Sequence, residues 1–532
     1  MKKLFFIPLM VSVFISSFVL AQDPNSSGFT NTQIGTVPDR ILSIARSPNL
    51  QHMAIVSVVN NKHQIILDGI AGPSFDIIGE NTIVFSHDSN HIAYLAISGG
   101  KQIVVVDDKP GPQFEGIVKD SIVFSPDSKR CAYLGKNGNK SAAVIDGKTL
   151  ELGPEIDARS APLFSADSKR VAFSAWKGSR RLVVIDGQPG PGFDDITFLA
   201  FTPDSKHIVY GARKSIKRMV VVDDKPGKEF DEIGKSIAFS LNGNRFAYGA
   251  RTGLKWKVIV NDVNQPMFDE IIDGSILFSP DSNHLAYAAK TNYKQVVILD
   301  GNTVSQEYDI IGRDMPIFIN DGKNLLYTAK IVFQWQVLVD QNPGPLCDNI
   351  KDGTFNISPD KKHFAYAAWI NNKWQVFVDN NKQIECDDVA PLIIFSPDSQ
   401  HVVYVIKKNN KDRVVLDGKI GPEFDEIRRI IFSPDSKHIM YVAKKGNMFL
   451  AVLDEKPGTL YADIPIDSLL FSEDSSHTIY MASAYGKQVL VADGQESQQY
   501  DAIVAFPTVS DTHGFEALTA KEKIIYKTYW KP

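Results

Sequence analysis

From about residue 45 onward, the chain repeats one pattern of apolar and polar positions every 37 to 40 residues. Each copy starts with an apolar run that ends at Phe-Ser, then a Pro-Asp-Ser turn and a second alternating run that ends at Tyr. A polar loop, a Val/Ile run that ends at Asp, a turn with Gly, Lys and Pro, and a Phe-Asp-x-Ile segment complete the copy. Alternation, β-branched residues and closely spaced turn residues predict four short antiparallel strands per copy, and no segment keeps a helical period.

Twelve copies are recognisable, and a degraded thirteenth copy ends the chain; clear examples are FSHDSNHIAY at 85–94, FSPDSNHLAY at 278–287 and FSPDSKHIMY at 432–441. In all twelve, 13 residues separate the end of the second strand from the Asp or Asn that closes the third, as between Tyr94 and Asp107. A fixed length preserves the register of this hairpin, because a one-residue slip would turn core side chains outward. Four strands in about 40 residues are typical of one β-propeller blade.

These FSPDS-containing units resemble the WD40-like β-propeller repeats of TolB-like proteins, and the resemblance extends over nearly the whole chain. It implies an all-β protein in which the Phe-Ser strand is the innermost of each blade and the Phe-Asp-x-Ile strand the outermost. It also implies a bacterial envelope context and contacts with other proteins. The chain departs from TolB because only about 20 residues separate residue 22 from the first repeat, which leaves no room for an N-terminal domain.

The number of copies raises the question of how many rings they form. One ring of thirteen blades would enclose a very wide hole, because propellers typically have about four to eight blades. We therefore expect two consecutive propellers of six and seven blades, over residues 22–270 and 271–532. The last copy lacks an outer strand, and the segment 32–35 resembles one. The terminal strands are thus expected to share a blade, which removes an open sheet edge but complicates two serial rings.

The N-terminus predicts export from the cytoplasm. Lys2 and Lys3 precede an apolar run over 4–19, and small residues at Val19 and Ala21 fit cleavage before Gln22. Residues 1–21 are therefore interpreted as a secretory signal peptide, with an uncleaved anchor as the alternative. No Cys follows the cleavage site, so we expect a periplasmic or secreted chain without a lipid anchor or integral membrane insertion. Three cysteines are too few for a disulfide scaffold.

Composition narrows the function only slightly. The chain is 43% hydrophobic and 22% charged with a net charge of −5, so it is globular and lacks the basic footprint of a general nucleic-acid binder. It contains no Gly-x-Ser-x-Gly, no His-Glu-x-x-His and no phosphate-binding glycine loop. We expect no cofactor and no catalytic residues, although propeller enzymes can assemble a site from several blades.

Histidine occupies one position of the repeat. Eight of the eleven histidines lie there, Arg or Asn fill it elsewhere, and each lies 16 residues before the strand-closing Asp or Asn. In a hairpin these two side chains face each other. We interpret them as structural pairs at the blade rim; metal or acid–base sites are the alternative, but zinc needs three or four ligands, which one pair per blade cannot supply. The pairs are His91–Asp107, His207–Asp223, His284–Asp300, His401–Asp417 and His438–Asp454.

The loops between the second and third strands should project from one face. They are basic in the first half of the chain and aromatic in the second. Cations could hold an anionic glycan, a lipid headgroup or an acidic protein, and exposed indoles are typical binding anchors. The alternative is solvated charge and rings packed between blades. The candidate binding residues are Arg180, Arg181, Arg213, Arg218, Arg251, Trp335, Trp369 and Trp374.

Together these features indicate a non-enzymatic scaffold or recognition module that binds an envelope or extracellular protein through its loop face. A glycan-binding protein, or a propeller hydrolase or lyase with a site at a channel mouth, are the alternatives.

Overall fold

The computed structural model describes residues 28–532 except 37–39, 50–51, 154, 313–315, 485 and 511–513. The predicted signal peptide, residues 1–21, lies outside the described residues. Thirteen antiparallel sheets follow one another along the chain, which confirms the prediction of thirteen four-stranded blades. The described part has no α-helix, and so no helix that could cross a membrane; its only helical turns are the 3₁₀ turns Asn320–Gly322 and Ile466–Ser468.

Each blade has an inner, a second, a third and an outer strand. The inner strands, in two pieces in seven blades, are Ile41–Arg46; Ile77–Ile78 and Val84–Phe85; Gly116–Ile117 and Val123–Phe124; Ile156–Ala158 and Leu163–Phe164; Asp195–Phe201; Glu232–Ile233 and Ala238–Phe239; Glu270–Ile271 and Leu277–Phe278; Ile310–Ile311 and Ile317–Ile319; Asn349–Ile350 and Asn356–Ile357; Asp388–Phe395; Glu426–Phe432; Leu470–Phe471; and Ala502–Val509. The second strands are Met53–Val59, Ile92–Ser98, Cys131–Asn137, Val171–Lys177, Ile208–Lys214, Phe246–Thr252, Leu285–Thr291, Asn324–Ile331, Phe364–Ile370, Val402–Lys408, Ile439–Lys445, Thr478–Ala484 and Phe515–Lys521.

The third and outer strands complete the blades. The third strands are Lys62–Leu67, Lys101–Val106, Lys140–Ile145, Arg180–Ile185, Lys217–Val222, Lys255–Val260, Lys294–Leu299, Gln334–Val339, Lys373–Val378, Lys411–Leu416, Met448–Leu453, Lys487–Ala492 and Ile524–Lys531. The outer strands are Ile70–Phe75, Lys109–Phe114, Lys148–Glu151, Gln188–Pro189, Lys225–Pro226, Val263–Phe268, Asn302–Thr303, Asn342–Pro343, Asn381–Cys386, Lys419–Phe424, Lys456–Pro457, Gln495–Glu496 and, in blade 13, Gly28–Thr36.

The Phe-Asp-x-Ile segment is not an outer strand, as the resemblance implied, but the crossing from one blade to the next. Phe75 ends the outer strand of blade 1, opposite His63, whereas Ile77–Ile78 begins the inner strand of blade 2. The outer strand is formed instead by the preceding Gly-, Lys- and Pro-containing segment. Because an exposed edge strand is often polar, the sequence of this strand resembles that of a turn.

Aromatic contacts at these crossings join neighbouring blades. Tyr94 of blade 2 is fully buried and meets the Phe75 ring of blade 1 edge to face, with centroids 6.3 Å apart. The same contact recurs along the chain, as between Phe268 and Tyr287. Such pairs contribute about 0.5–1.5 kcal/mol each beyond their buried area. Cys347 and Cys386 replace the Phe at two crossings, and both thiols are free and buried.

The blades pack in one closed cycle. A shared core joins each blade to the next, including blades 6 and 7, where Val258 and Phe268 pack with Tyr287. Blade 13 packs against blade 1 through Leu518 and Ile525. Two separate rings would instead require blade 1 to pack on blade 6 or 7. The predicted boundary at residue 270 thus falls between two blades that share a core. The prediction that residues 22–270 and 271–532 are separate folding units stays a prediction.

The cycle closes through the two ends of the chain. The N-terminal strand, Gly28–Thr36, pairs antiparallel with the C-terminal strand, Ile524–Lys531, which confirms that the termini share one blade. Asn31 Oδ1 also accepts hydrogen bonds from Tyr500 Oη (2.8 Å) and Thr528 Oγ1 (2.7 Å). Blade 1 begins at Ile41, with four residues between it and the end of this strand at Thr36, so the strand also holds blade 1 beside blade 13.

Removal of the N-terminal strand should open the cycle. A chain that starts at Ile41 is expected to melt at lower temperature and to self-associate, because the backbone of Ile524–Lys531 becomes an open sheet edge. Thermal unfolding and light scattering measure both effects, with a chain that starts at Gly28 as the control. Equal melting and a monomeric state for both chains would contradict closure by this strand.

Candidate functional site

The propeller presents two different faces. The Pro-Asp-Ser turns and the turns between third and outer strands lie on one, the turn face. The tips of the hairpins between second and third strands, and the Phe-Asp-x-Ile crossings, lie on the other, the hairpin-tip face. The predicted rim pairs belong to the turn face and the predicted binding loops to the hairpin-tip face.

On the turn face, each predicted histidine lies against its aspartate. Histidine Nδ1 donates to the Asp Oδ2 at 2.5–2.8 Å in all five pairs named above. The other carboxylate oxygen accepts the backbone N–H that follows the histidine, as Asp417 Oδ1 does from Val402 at 2.9 Å. Asp417 also has a φ of 49°, a left-handed turn conformation that Asp tolerates. One aspartate therefore both forms the turn and binds the neighbouring strand.

The same position also contacts the next blade. The His91 ring stacks on Phe124 of blade 3 with centroids 6.3 Å apart. Where Arg replaces His, Arg130 bonds Asp146 at 2.9 Å and reaches the Ser168 carbonyl of the following blade at 2.8 Å. These contacts favour a structural role for the rim pairs, and that role stays a prediction.

A second set of bonds on this face links successive Pro-Asp-Ser turns. Ser128 of blade 3 is buried, has a φ of 64°, and accepts the Asp88 N–H of blade 2 through its hydroxyl at 2.9 Å. Equivalent hydrogen bonds link the turns of neighbouring blades at eight blade junctions. They are interrupted where Gly243, Gly322 or Lys361 replaces the serine. The turn face is therefore occupied by bonds that hold the blades together.

The turn aspartates are held as anions. In blade 11 the Ser433 hydroxyl and the Lys437 N–H donate to Asp435 Oδ1, and they lower the pKa of that carboxyl to about 2. Ser279 and Asn283 lower the pKa of Asp281 to about 2 in the same way. In blade 6 the chain itself has Asn242 at this position, with the same two bonds.

On the hairpin-tip face, charged side chains link neighbouring blades. Asp231, at the Phe-Asp crossing from blade 5 to blade 6, accepts hydrogen bonds from the hairpins of both blades. Lys217 Nζ of blade 5 donates at 2.6 Å, and the backbone N–H of Gly253 in blade 6 donates at 2.7 Å. The same arrangement engages several predicted binding residues. Arg180 pairs with Asp194, Arg181 with Asp195 at 2.7 Å, and Arg251 with Glu232 at 2.9 Å.

The blade 5 hairpin has two like-charged pairs across its strands, whereas the blade 4 and blade 10 hairpins have one each. Arg213 lies directly opposite Arg218, and Lys214 opposite Lys217, across the two strands. Of these four cations, only Lys217 has a carboxylate within ion-pair distance in the described part of the chain. Arg213 instead donates a hydrogen bond to the backbone carbonyl of Ser215, in its own hairpin tip, at 3.1 Å. Like charges directly opposite each other destabilise a strand pair. We call Arg213, Lys214, Lys217 and Arg218 the basic hairpin.

The three predicted tryptophans are half-buried. Trp335 and Trp374 pack against inter-blade cores, and Trp369 meets Trp374 edge to face with centroids 5.2 Å apart. Lysine ammonium groups lie over Trp335 and Trp374, at 5.6 and 5.1 Å from the ring centroids. These contacts favour the packing alternative, and the six tryptophans, all of which lie among the described residues, form no row of exposed indoles for a glycan.

Sequence reasoning missed four exposed apolar side chains at successive hairpin tips. Ile216, Leu254, Tyr293 and Phe333, in blades 5 to 8, are 80–91% exposed. We call them the apolar tips. Their signal was present in the sequence, because other copies have Gly, Asn, Ser or Lys at this position.

The clefts between blades contain polar groups that already bind one another. A cleft of about 480 Å³ between blades 2 and 3 is lined by His91, Asp107, Arg130 and Asp146, which are two rim pairs. In the part of the chain that the structure describes, no three His, Cys, Asp or Glu side chains are grouped to hold a metal ion.

Comparisons with known proteins give likeness of fold only. No family model and no curated protein matches the chain. Among solved structures, a eukaryotic initiation factor is 12% identical, with 75% of this chain and 96% of that chain covered and a TM-score of 0.32. TolB from Acinetobacter baumannii is 15% identical, with 50% and 79% covered and a TM-score of 0.22. At these values neither likeness bears on partners or activity, and membership of the TolB-like family stays a prediction.

Substitution of one rim histidine should lower the stability of the fold and have no other effect. His401→Ala is expected to lower the free energy of unfolding by about 0.5–1 kcal/mol, because a half-exposed hydrogen bond to Asp417 is lost. Thermal unfolding measures the effect, with the exposed neighbour Gln400→Ala as the control. Unchanged melting of the His401 variant would contradict the structural role.

The turn carboxylates should make stability depend on acidity. Because the folded pKa of Asp435 lies below its ordinary value, the unfolded state binds more protons, and the contribution is present above about pH 4 and lost as pH falls toward 2. Asp435→Asn keeps the geometry seen at Asn242 without the charge. The difference in melting temperature between wild type and variant should therefore shrink between pH 5 and pH 2.5, and a constant difference would contradict the prediction.

Proposed function

We propose that this chain is a non-enzymatic recognition propeller of the periplasm or extracellular space, and that it binds an acidic protein of that compartment through the hairpin-tip face. The observation that carries the proposal is the basic hairpin. Arg213, Lys214 and Arg218 lack a carboxylate partner in the described part of the chain, although carboxylates pair with Arg180, Arg181 and Arg251 nearby.

The basic hairpin has a stability cost that a partner would relieve. Two like-charged pairs lie across its strands, and an acidic surface would neutralise the three unpaired cations together. The hairpin is held rigidly, because the blade 5 strands lie between two inter-blade cores. A rigid, preorganised surface loses little conformational entropy on binding.

The other face supports this assignment. Its rim pairs and its serine-linked turns engage their polar groups within the propeller, so they offer few unpaired groups to a partner. The hairpin-tip face presents to solvent the unpaired cations of the basic hairpin and the apolar tips. Glycan binding and an enzymatic site remain alternative predictions without a supporting contact.

Neutralising the basic hairpin should abolish capture of the partner. The chain from residue 22 and its Arg213→Gln/Lys214→Gln/Arg218→Gln variant are each used to capture proteins from an envelope extract at low and high salt. Wild type is expected to retain an acidic protein at low salt that high salt releases, because exposed ion pairs are screened. The variant is expected to lose that protein and to melt at an equal or higher temperature.

The matched control removes three exposed lysines from the turn face, Lys129, Lys169 and Lys437. This control has the same net charge as the triple variant, so loss of capture by both would indicate a non-specific charge effect. Equal capture by wild type and the triple variant would contradict the proposal.

A further inference from the structure

The apolar tips occupy four consecutive blades. Ile216 is 83% exposed, Leu254 90%, Tyr293 91% and Phe333 80%, and Val332 beside Phe333 is 65% exposed. The equivalent tip residues of the other blades are Asn61, Gly100, Asn139, Ser179, Asn372, Asn410, Asn447, Gly486 and Lys523. Apolar tips are therefore confined to one sector of the hairpin-tip face.

Two of these tips hold their residues in a disfavoured backbone conformation. Tyr293 has a φ of 67° and Val332 a φ of 57°, the left-handed region that the chain elsewhere gives to residues such as Gly99 and Asn371. A bulky or β-branched residue is poorly tolerated there. Both the strain and the solvent exposure oppose stability, so the side chains are better explained by a contact outside the propeller.

The charges beside the tips are mostly positive. A lysine follows three of the four tips directly, at Lys217, Lys255 and Lys294. The tip segments 214–217, 252–255, 291–294 and 331–334 contain no Asp or Glu. The carboxylates that bind these lysines, Asp231, Asp269 and Asp309, lie on the crossings between blades. The tip segments themselves thus combine exposed apolar side chains with cations and contain no carboxylate.

Exposed apolar side chains beside cations, without carboxylates in the same segments, match the surface of an anionic bilayer, where the acyl boundary lies beneath a layer of phosphates. We propose that the apolar tips insert into the interface of an anionic phospholipid membrane and hold the propeller there as a peripheral protein. Aliphatic side chains and Phe suit the acyl boundary, and Tyr suits the interface between water and lipid.

A lipid surface fits the tips better than a protein does. The four side chains stand on four separate hairpins, so a protein would need four apolar pockets at the spacing of the blades, whereas lipid accommodates any spacing. The inference goes beyond the proposed function, since it uses different residues from the three unpaired cations of the basic hairpin. It places the acidic partner of that hairpin beside the membrane.

Vesicle sedimentation tests the inference. The chain from residue 22 is mixed with vesicles of phosphatidylcholine alone or with phosphatidylglycerol. The variant is Ile216→Asn/Leu254→Asn/Tyr293→Asn/Phe333→Asn, which introduces the residue that other tips of this chain use. Wild type is expected to sediment with the phosphatidylglycerol vesicles, and the variant to lose at least about tenfold in partitioning. Its melting temperature should not fall, because Asn tolerates the left-handed conformation of Tyr293.

The matched control removes exposed apolar side chains from the outer strands, as Ile70→Asn/Val263→Asn/Met267→Asn/Ile420→Asn. It should bind vesicles like wild type. Absence of wild-type binding to either vesicle, or equal binding by wild type and the tip variant, would overturn the inference. So would self-association of wild type that the tip variant abolishes, or loss of the captured acidic protein by that variant. Capture retained without vesicle binding would refute this inference and leave the proposed function standing.

Discussion

The structure depends on the contact made where the chain crosses from one blade to the next. At seven crossings a ring that ends or follows the outer strand, such as Phe75, packs edge to face on the buried tyrosine of the following blade, such as Tyr94. A single four-stranded sheet can bury little of its surface alone. Because each blade buries its core only against its neighbours, the stability of one blade depends on the blades beside it. The pairing of Gly28–Thr36 with Ile524–Lys531 extends this dependence around the whole cycle.

Polar contacts then fix the details that apolar packing leaves free. The strand-closing aspartates, such as Asp417, bind both a side chain and a backbone N–H of the adjacent strand, which sets the register of the central hairpin. This explains why its length is constant in the sequence. On the opposite face, aspartates such as Asp231 bind a lysine of one blade and the hairpin tip of the next. Both faces are held by bonds within the propeller, so residues that depart from the repeat are the more informative about function.

Those departures lie together. The like-charged pairs of the basic hairpin and the apolar tips all belong to blades 5 to 8 of one face. Each departure costs stability, through repulsion, exposure or a left-handed Tyr293 and Val332. The two proposed contacts, electrostatic with a protein and apolar with lipid, would account for both departures.

The repeats determined the blades, their number and the shared terminal blade, because strand alternation, turn residues and fixed spacing are local properties. They also predicted the facing of His401 and Asp417, since residues at that separation meet in any regular hairpin. The sequence alone did not show that Phe75 and Ile77 belong to different blades, because pairing partners lie outside the segment itself. Nor did it show that Arg180 and Arg251 are neutralised while Arg213 and Arg218 are not, since their partners come from strands adjacent only in the fold. Whether blades 6 and 7 separate or share a core was likewise decided by tertiary packing, because every copy has nearly the same apolar pattern and only the closing contact selects which blades become neighbours.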